Sequence, residues 1–146
     1  MKKCLSLLFA LALMTTVSFT QEKKVVATKD APQAVGPYSQ AIKAGGFVFT
    51  AGQLPIDPAT GKLVEGDVKA QTERVLKNLS VVLAAAGTNM DRVVKTTVFL
   101  KNMSDFSAMN EVYGQFFKNE PPSRSTIQVV ALAKDALVEI EAVALQ

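Results

Sequence analysis

Residues 67–87, DVKAQTERVLKNLSVVLAAAG, decide the fold of this 146-residue chain. Apolar or small residues recur there at helical spacing: Val68, Thr72, Val75, Leu76, Leu79, Val82, Leu83 and Ala86. Asp67 is a typical N-cap residue and Gly87 stands where a helix commonly ends, so the pattern predicts one long amphipathic helix. Such a helix buries its apolar face against a second layer of structure.

Strand patterns and a second helix surround this segment. Ser104 is predicted to cap the second helix, which Pro121-Pro122 ends, and its apolar face carries Phe106, Met109, Val112, Tyr113, Phe116 and Phe117. Runs rich in β-branched and aromatic residues predict six strands. They are Lys24–Ala27, Ser39–Lys43, Phe47–Ala51, Arg92–Leu100, Ser125–Ala131 and Leu137–Leu145. The order predicts one α+β domain, a mixed sheet with two helices packed on one face.

The last predicted strand also carries apolar residues that the helices are not expected to cover. They are Val138, Ile140, Ala142 and Ala144, which we expect on the face of the sheet opposite the helices. Since no further element remains to bury that face, the pattern favours a homo-oligomer in which a partner subunit covers it.

The first twenty residues differ from the rest of the chain. Lys2 and Lys3 precede an apolar run from Leu5 to Val17, which is shorter than the ~20 apolar residues of a membrane span. This pattern predicts a secretory signal peptide at residues 1–20, a single domain at 21–146 and an exported protein, periplasmic or secreted. Cys4 lies before the apolar run, so we expect neither a lipid anchor nor a stable membrane anchor once the leader is removed.

The composition excludes several kinds of chemistry. The chain has one Cys and no His, so Ser–His and Cys–His nucleophile pairs, His-ligated zinc and a disulfide framework are all excluded. No phosphate loop or cluster of metal-binding aspartates appears either. Removal of Lys2 and Lys3 lowers the net charge from +3 to +1, and nucleic-acid binding through a basic patch is disfavoured. An enzyme built from this chain would use carboxylates, hydroxyls, Lys, Arg and backbone amides, with no metal.

Two carboxylates stand out on the last strand. Glu139 and Glu141 are two residues apart in VEIEA, so they share one face of the strand at ~6.7 Å along the chain. Glu is a poor strand former. Either this face is simply exposed to solvent, or one carboxylate lines a cleft and transfers protons with a pKa tuned by partial burial.

Four other positions are candidates for binding a ligand. Arg124 follows Pro122-Ser123 at the start of a strand, where a guanidinium is suited to a substrate carboxylate; a structural salt bridge is the alternative. Asn110 falls on the apolar side of the second helix and needs a partner, either backbone or a ligand. Tyr38 follows Gly36-Pro37 and points into a cleft or packs in a core or interface. Gly52 leaves its backbone accessible at a strand end.

Five motifs, in order along about 120 residues, resemble the Rid (YjgF-type) family of reactive-intermediate deaminases. They are GPYSQ at 36–40, AGQLP at 51–55, VKTTVFL at 94–100, PSRS at 122–125 and VEIEA at 138–142. The resemblance implies a chorismate-mutase-like α+β fold and a homotrimer with clefts between subunits. It also implies hydrolysis of 2-imino acids, and of their enamine tautomers, to 2-keto acids and ammonia without a cofactor.

The resemblance also implies a role for each candidate. Arg124 would bind the substrate carboxylate, and Glu139 would handle the attacking water. Tyr38, Asn110 and the Gly52 backbone would line the pocket, with Glu141 in support.

The chain departs from the family pattern in two places. Thr126 stands where many bacterial members have Cys, which removes a thiol but leaves the backbone amide as a substrate contact. The predicted leader is the second departure, because the family's usual role is cytosolic.

Two other functions remain open at this stage. A binding protein of the same architecture would hold small 2-keto or other carboxylic acids through Arg124 without turning them over. A chaperone-like holdase would instead use hydrophobic surface on the oligomer, independently of Arg124 and Glu139.

Overall fold

The computed structural model of the chain describes residues 22–146, so the predicted leader at 1–20 lies outside the described residues. The strands are β1 Lys24–Val26, β2 Ala41–Ala44, β3 Phe47–Thr50, β4 Val93–Leu100, β5 Ser123–Gln128 and β6 Val138–Leu145. The helices are α1 Val68–Ala85 and α2 Phe106–Phe116, and short 3₁₀ turns occupy Met90–Arg92, Met103–Asp105 and Ala133–Asp135. Within residues 22–146, no helix is both long and apolar enough to cross a membrane.

The long helix α1 forms as its sequence predicts. Asp67 is its N-cap, and the Asp67 carboxylate accepts a hydrogen bond of 3.0 Å from the backbone N–H of Ala70. Val75, Leu76 and Leu79 are fully buried on its inner face. Periodicity and capping therefore agree, which is why this element could be predicted from the sequence.

The prediction that Ser104 caps the second helix is wrong. Ser104 lies inside the Met103–Asp105 turn, and Asp105, the residue before α2, already has helical backbone angles. The 3₁₀ turn therefore runs directly into α2, and no extended N-cap position remains for a serine side chain to occupy.

The six strands form one sheet in the order β1-β2-β3-β6-β4-β5. Neighbouring strands are antiparallel except β4 and β5, which are parallel. Helix α1 packs on β6 and β3 as well as on α2, and α2 is tied to β4 by a 2.7 Å hydrogen bond between Tyr113 and Thr96. The predicted architecture of a mixed sheet with two helices on one face is confirmed.

The two faces of β6 are the reverse of the prediction. Val138, Ile140, Ala142 and Ala144 are at most 3% exposed and lie under the helices. The open face carries Glu139 and Glu141 from β6 beside the exposed rings of Phe47 and Phe49 on β3. Alternation along a strand says which residues share a face but not which face a helix covers.

Candidate functional site

Arg124 lies on a platform of aromatic rings. It is the second residue of the edge strand β5 and is partly buried. Its guanidinium carbon is 4.6 Å from the ring centroid of Tyr113 and 5.5 Å from that of Phe106, both on α2. The Tyr113 hydroxyl is in turn fixed by Thr96. Stacking of this kind orients the planar cation while leaving its N–H groups directed outward.

The Arg124 guanidinium makes no ion pair in the described part of the chain, where all recorded ion pairs involve lysines. The alternative of a structural salt bridge within the chain therefore does not apply to residues 22–146. Asn110 lies between Phe106 and Tyr113 on the same side of α2, and Thr126 lies two residues after Arg124 on the same face of β5. These residues form a surface suited to an anion.

Glu139 lies against Gly52 on the open face of the sheet. Gln53 forms an antiparallel bridge with Ile140, which places Gly52 beside the side chain of Glu139. A Cβ atom on residue 52 would lie 2.7 Å from Cδ and 2.9 Å from Cγ of Glu139, closer than real Cβ contacts allow. The carboxylate therefore occupies space that only glycine leaves free.

The Glu139 carboxyl is also tuned electrostatically. Burial raises its pKa above the usual value for Glu, and the negative charge of Glu141 on the same face raises that pKa further. Both effects disfavour the charged form. A carboxyl with a raised pKa can exchange protons closer to neutral pH than an ordinary Glu.

Tyr38 lies near Gly52 at the end of the sheet. Its ring packs against Gly36, where an added Cβ would be 3.4 Å from the ring, and its hydroxyl accepts a 3.4 Å hydrogen bond from the Val35 N–H. Tyr38 and Gly52 both line a cleft of about 410 Å³. Tyr38 is half exposed, so it does not pack in the core of the chain, and it lines this cleft.

The six predicted site residues fall into two groups on opposite faces of the sheet. Arg124 on β5 is paired with Thr96 on β4, and Thr96 is paired with Ala142 on β6, so the three side chains share the helix face. Glu139, three residues before Ala142 on β6, points to the open face. Arg124, Asn110 and Thr126 form one group, and Glu139, Gly52 and Tyr38 form the other. One chain does not bring Arg124 and Glu139 together.

Sequence reasoning missed the residues that position this site. Phe106 and Tyr113 hold Arg124, but their place on the apolar stripe of α2 indicated only core packing. Asn78, buried in α1, holds the loop after Gly52 through hydrogen bonds to the carbonyls of Leu54 and Ile56. Within residues 22–146, no group of three or more potential His, Cys, Asp or Glu ligands lies together.

The sequence and the fold both match known proteins. Residues 28–146 match the family model described as Endoribonuclease L-PSP. A RutC family protein of Pyrococcus horikoshii is 54% identical over 122 residues, covering 84% of this chain and 97% of the relative.

Two solved structures share the fold closely. A protein of the conserved Rid family from Yersinia pestis is 51% identical with a TM-score of 0.84, covering 86% of this chain and 100% of the other. TdcF of E. coli, solved with bound serine, is 42% identical with a TM-score of 0.80, covering 84% of this chain and 98% of the other. The chain therefore belongs to the Rid family, also called YjgF/RutC or L-PSP, and has its chorismate-mutase-like fold.

Proposed function

We propose that this protein is a homotrimeric hydrolase that converts 2-imino acids to 2-keto acids and ammonia. In this proposal each active site lies between two subunits, and its chemistry requires no cofactor. Arg124 of one subunit binds the substrate carboxylate, and Glu139 of the next subunit activates water. Asn110 and Thr126 lie on the Arg124 side of the cleft, and Tyr38 and Gly52 on the Glu139 side.

The observation that carries this proposal is the separation of Arg124 and Glu139 onto opposite faces of one sheet. Each group is prepared for chemistry, because Arg124 is stacked without a carboxylate partner and Glu139 is half-buried with a raised pKa. Burial opposes the charged form of Glu139, and Arg124 has no carboxylate partner in the described part of the chain. Both are useful if a second copy places the two groups on either side of one substrate.

The open face of the sheet supports assembly. Apolar side chains on or beside it are 38–63% exposed: Val25, Phe47, Phe49, Ile127 and Leu145. Exposed apolar side chains gathered on one face are typical of a face that another subunit covers. Phe47 and Phe49 pack against each other with ring centroids 6.3 Å apart, which gives the interface an aromatic centre.

The proposed reaction needs only proton transfer and orientation. The Glu139 carboxylate takes a proton from water as the water oxygen bonds to C2 of the imine, and the C=N electron pair moves to nitrogen, which takes that proton from Glu139. In the resulting carbinolamine, Glu139 takes the hydroxyl proton and passes it to nitrogen, the C–N bond breaks, the C=O bond forms and ammonia leaves, so that Glu139 is ionised again. Positioning by Arg124 and proton transfer by one carboxylate are sufficient, because an imine carbon is already electrophilic.

The test is an assay on imines generated in situ from alanine or 2-aminobutyrate by an amino-acid oxidase. We expect keto-acid release faster than the spontaneous rate, with acceleration abolished in Arg124→Ala and Glu139→Gln. Arg74→Ala is the matched control, since Arg74 lies on α1 away from the site. An Arg124→Ala variant that folds and retains the full rate would contradict the proposal.

Binding without turnover is the second candidate, favoured by the relative TdcF, which is solved with bound serine. In that case Arg124 would hold a small carboxylic acid and Glu139 would not act on water. Calorimetry with a 2-keto acid, showing tight binding in a protein that accelerates no imine hydrolysis, would select this function over the first.

We also propose that the protein is exported. The match to the relative from P. horikoshii covers 97% of that protein but only 84% of this chain. The match to the family model starts at residue 28. The predicted leader therefore precedes the part that is shared. Mass spectrometry of the mature N-terminus should show cleavage near residue 20, and Leu11→Arg in the apolar run should prevent it. An uncleaved protein retained in the cytoplasm would contradict export.

A further inference from the structure

The cleft that Tyr38 and Gly52 share has mostly apolar walls. It lies where β3 ends and β6 begins, and its volume is about 410 Å³. Its apolar lining includes Pro32, Val35, Tyr38, Leu54, Ile56 and Pro58. Gly52 connects the cleft to the catalytic carboxylate, because the Glu139 side chain packs against it.

The polar side chains in the cleft wall are already hydrogen-bonded within the chain. The Gln40 amide donates to the carbonyls of Pro32 at 2.8 Å and Thr28 at 3.1 Å, and its oxygen accepts from the Thr28 N–H. The Gln53 amide donates to the carbonyl of Ala51 at 3.2 Å. Both residues are about 95% buried. They shape the wall and offer little to a polar occupant.

The floor of the cleft is held in place before any ligand binds. Asn78 on α1 is 1% exposed and donates hydrogen bonds of 3.0 and 2.8 Å to the carbonyls of Leu54 and Ile56. A preformed apolar cavity binds a matching group without the entropy cost of ordering the loop.

We propose that this cleft is the subsite for the side chain of the imino acid and that it selects large apolar side chains, such as that of leucine. This inference rests on the proposed hydrolase function. A methyl or ethyl group would leave most of the 410 Å³ to water, since a water molecule takes up roughly 30 Å³. The cleft has one charged lining residue, Lys134, which is exposed. Because the Lys134 ammonium is exposed to water, it attracts a carboxylate only weakly, so an apolar side chain fits the walls better than an acidic one.

The experiment compares kcat/KM for imines derived from alanine, 2-aminobutyrate, leucine and glutamate. In the wild-type protein we expect kcat/KM for the leucine-derived imine to exceed that for the alanine-derived imine by at least tenfold. Tenfold is the low end of the discrimination that a single methylene group gives in a fitted pocket. Leu54→Phe narrows the cleft and should remove this preference, so that kcat/KM for the leucine-derived imine falls at least tenfold more than kcat/KM for the alanine-derived imine.

Leu63→Phe is the matched control. Leu63 bridges to Ile56 across the same loop but does not line the cleft, so its variant should keep the wild-type preference. If Leu54→Phe does not fold, Val35→Phe on the exposed wall of the cleft replaces it. A wild-type preference for small or acidic substrates, or an equal loss for all substrates in the narrowed variant, would overturn the subsite.

Binding of the product keto acids separates this proposal from the hydrolase function. If no imine is hydrolysed faster than in buffer, the function fails, and calorimetry with pyruvate and 4-methyl-2-oxopentanoate then decides the subsite. Tighter binding of the branched acid, lost in the narrowed variant, would support it. Equal affinities for the two acids would overturn it.

Discussion

At the scale of single residues, Gly52 has little room for a side chain, because Cγ and Cδ of Glu139 occupy the place of its Cβ. We expect Gly52→Ala to fold, since the Glu139 side chain can rotate away. The displaced carboxylate should lower the rate of imine hydrolysis by about 100-fold, as misplacement by about 1 Å typically does. Steady-state kinetics and circular dichroism measure the two effects.

Gly114→Ala is the control for that substitution. Gly114 lies in α2, and an added Cβ would meet no atom within 4 Å. We expect full activity and a gain in stability of about 0.4–1 kcal/mol, because alanine lowers the entropy of the unfolded chain. A Gly52→Ala enzyme as active as Gly114→Ala would show that the position of Glu139 does not matter.

Glu141 should control the pH dependence of the reaction through Glu139. Burial and the Glu141 charge both raise the pKa of Glu139, and only the ionised Glu139 can take a proton from water. Activity should therefore fall, as the pH is lowered, at a higher pH than an ordinary Glu would give. Glu141→Gln removes the neighbouring charge and should move this acid limb to lower pH. An unmoved or upward-shifted limb in the kcat/KM profile would contradict this coupling.

At the level of helices and strands, local patterns predicted the elements better than their surroundings. Asp67 and the apolar spacing of α1 each reflect a local interaction, so the sequence predicts both ends of the helix nearly to the residue. The face of β6 was assigned wrongly because the burial of Val138 and Ile140 depends on where α1 packs. That packing joins parts of the chain about 60 residues apart, and no local pattern reports it.

Asn78 illustrates an element whose role only the fold reveals. Its amide joins the middle of α1 to the loop beneath the cleft through two hydrogen bonds. Asn78→Ala should lower the free energy of unfolding by about 1–3 kcal/mol, because the loop carbonyls lose buried donors. Urea denaturation measures this. Asn89→Ala, at an exposed residue whose side chain makes no capping hydrogen bond, should change stability by less than about 0.5 kcal/mol.

At the level of the whole molecule, the sequence predicts candidate site residues but not how one chain groups them. The motifs around Arg124 and Glu139 predict that both residues are functional, and those roles stay predictions. Their placement on opposite faces depends on the register of β5, β4 and β6, which pairs Arg124 with Thr96 and Thr96 with Ala142. Because pairing register is a property of the folded sheet, the placement of the two groups on opposite faces is visible only in the structure, whereas the oligomer itself is expected from the sequence.

This arrangement predicts that two inactive variants restore each other. In a cyclic trimer each cleft takes Arg124 from one subunit and Glu139 from the next. When Arg124→Ala and Glu139→Gln subunits are refolded together at equal amounts, about one quarter of the clefts should combine an intact arginine with an intact glutamate. The mixture should therefore recover about a quarter of the wild-type rate, although each variant alone is inactive. The double variant mixed with either single variant is the control and should stay inactive, because no cleft then receives both groups. A mixture of the single variants that exchanges subunits, as native mass spectrometry would show, and yet remains inactive would place both groups in a site within one chain.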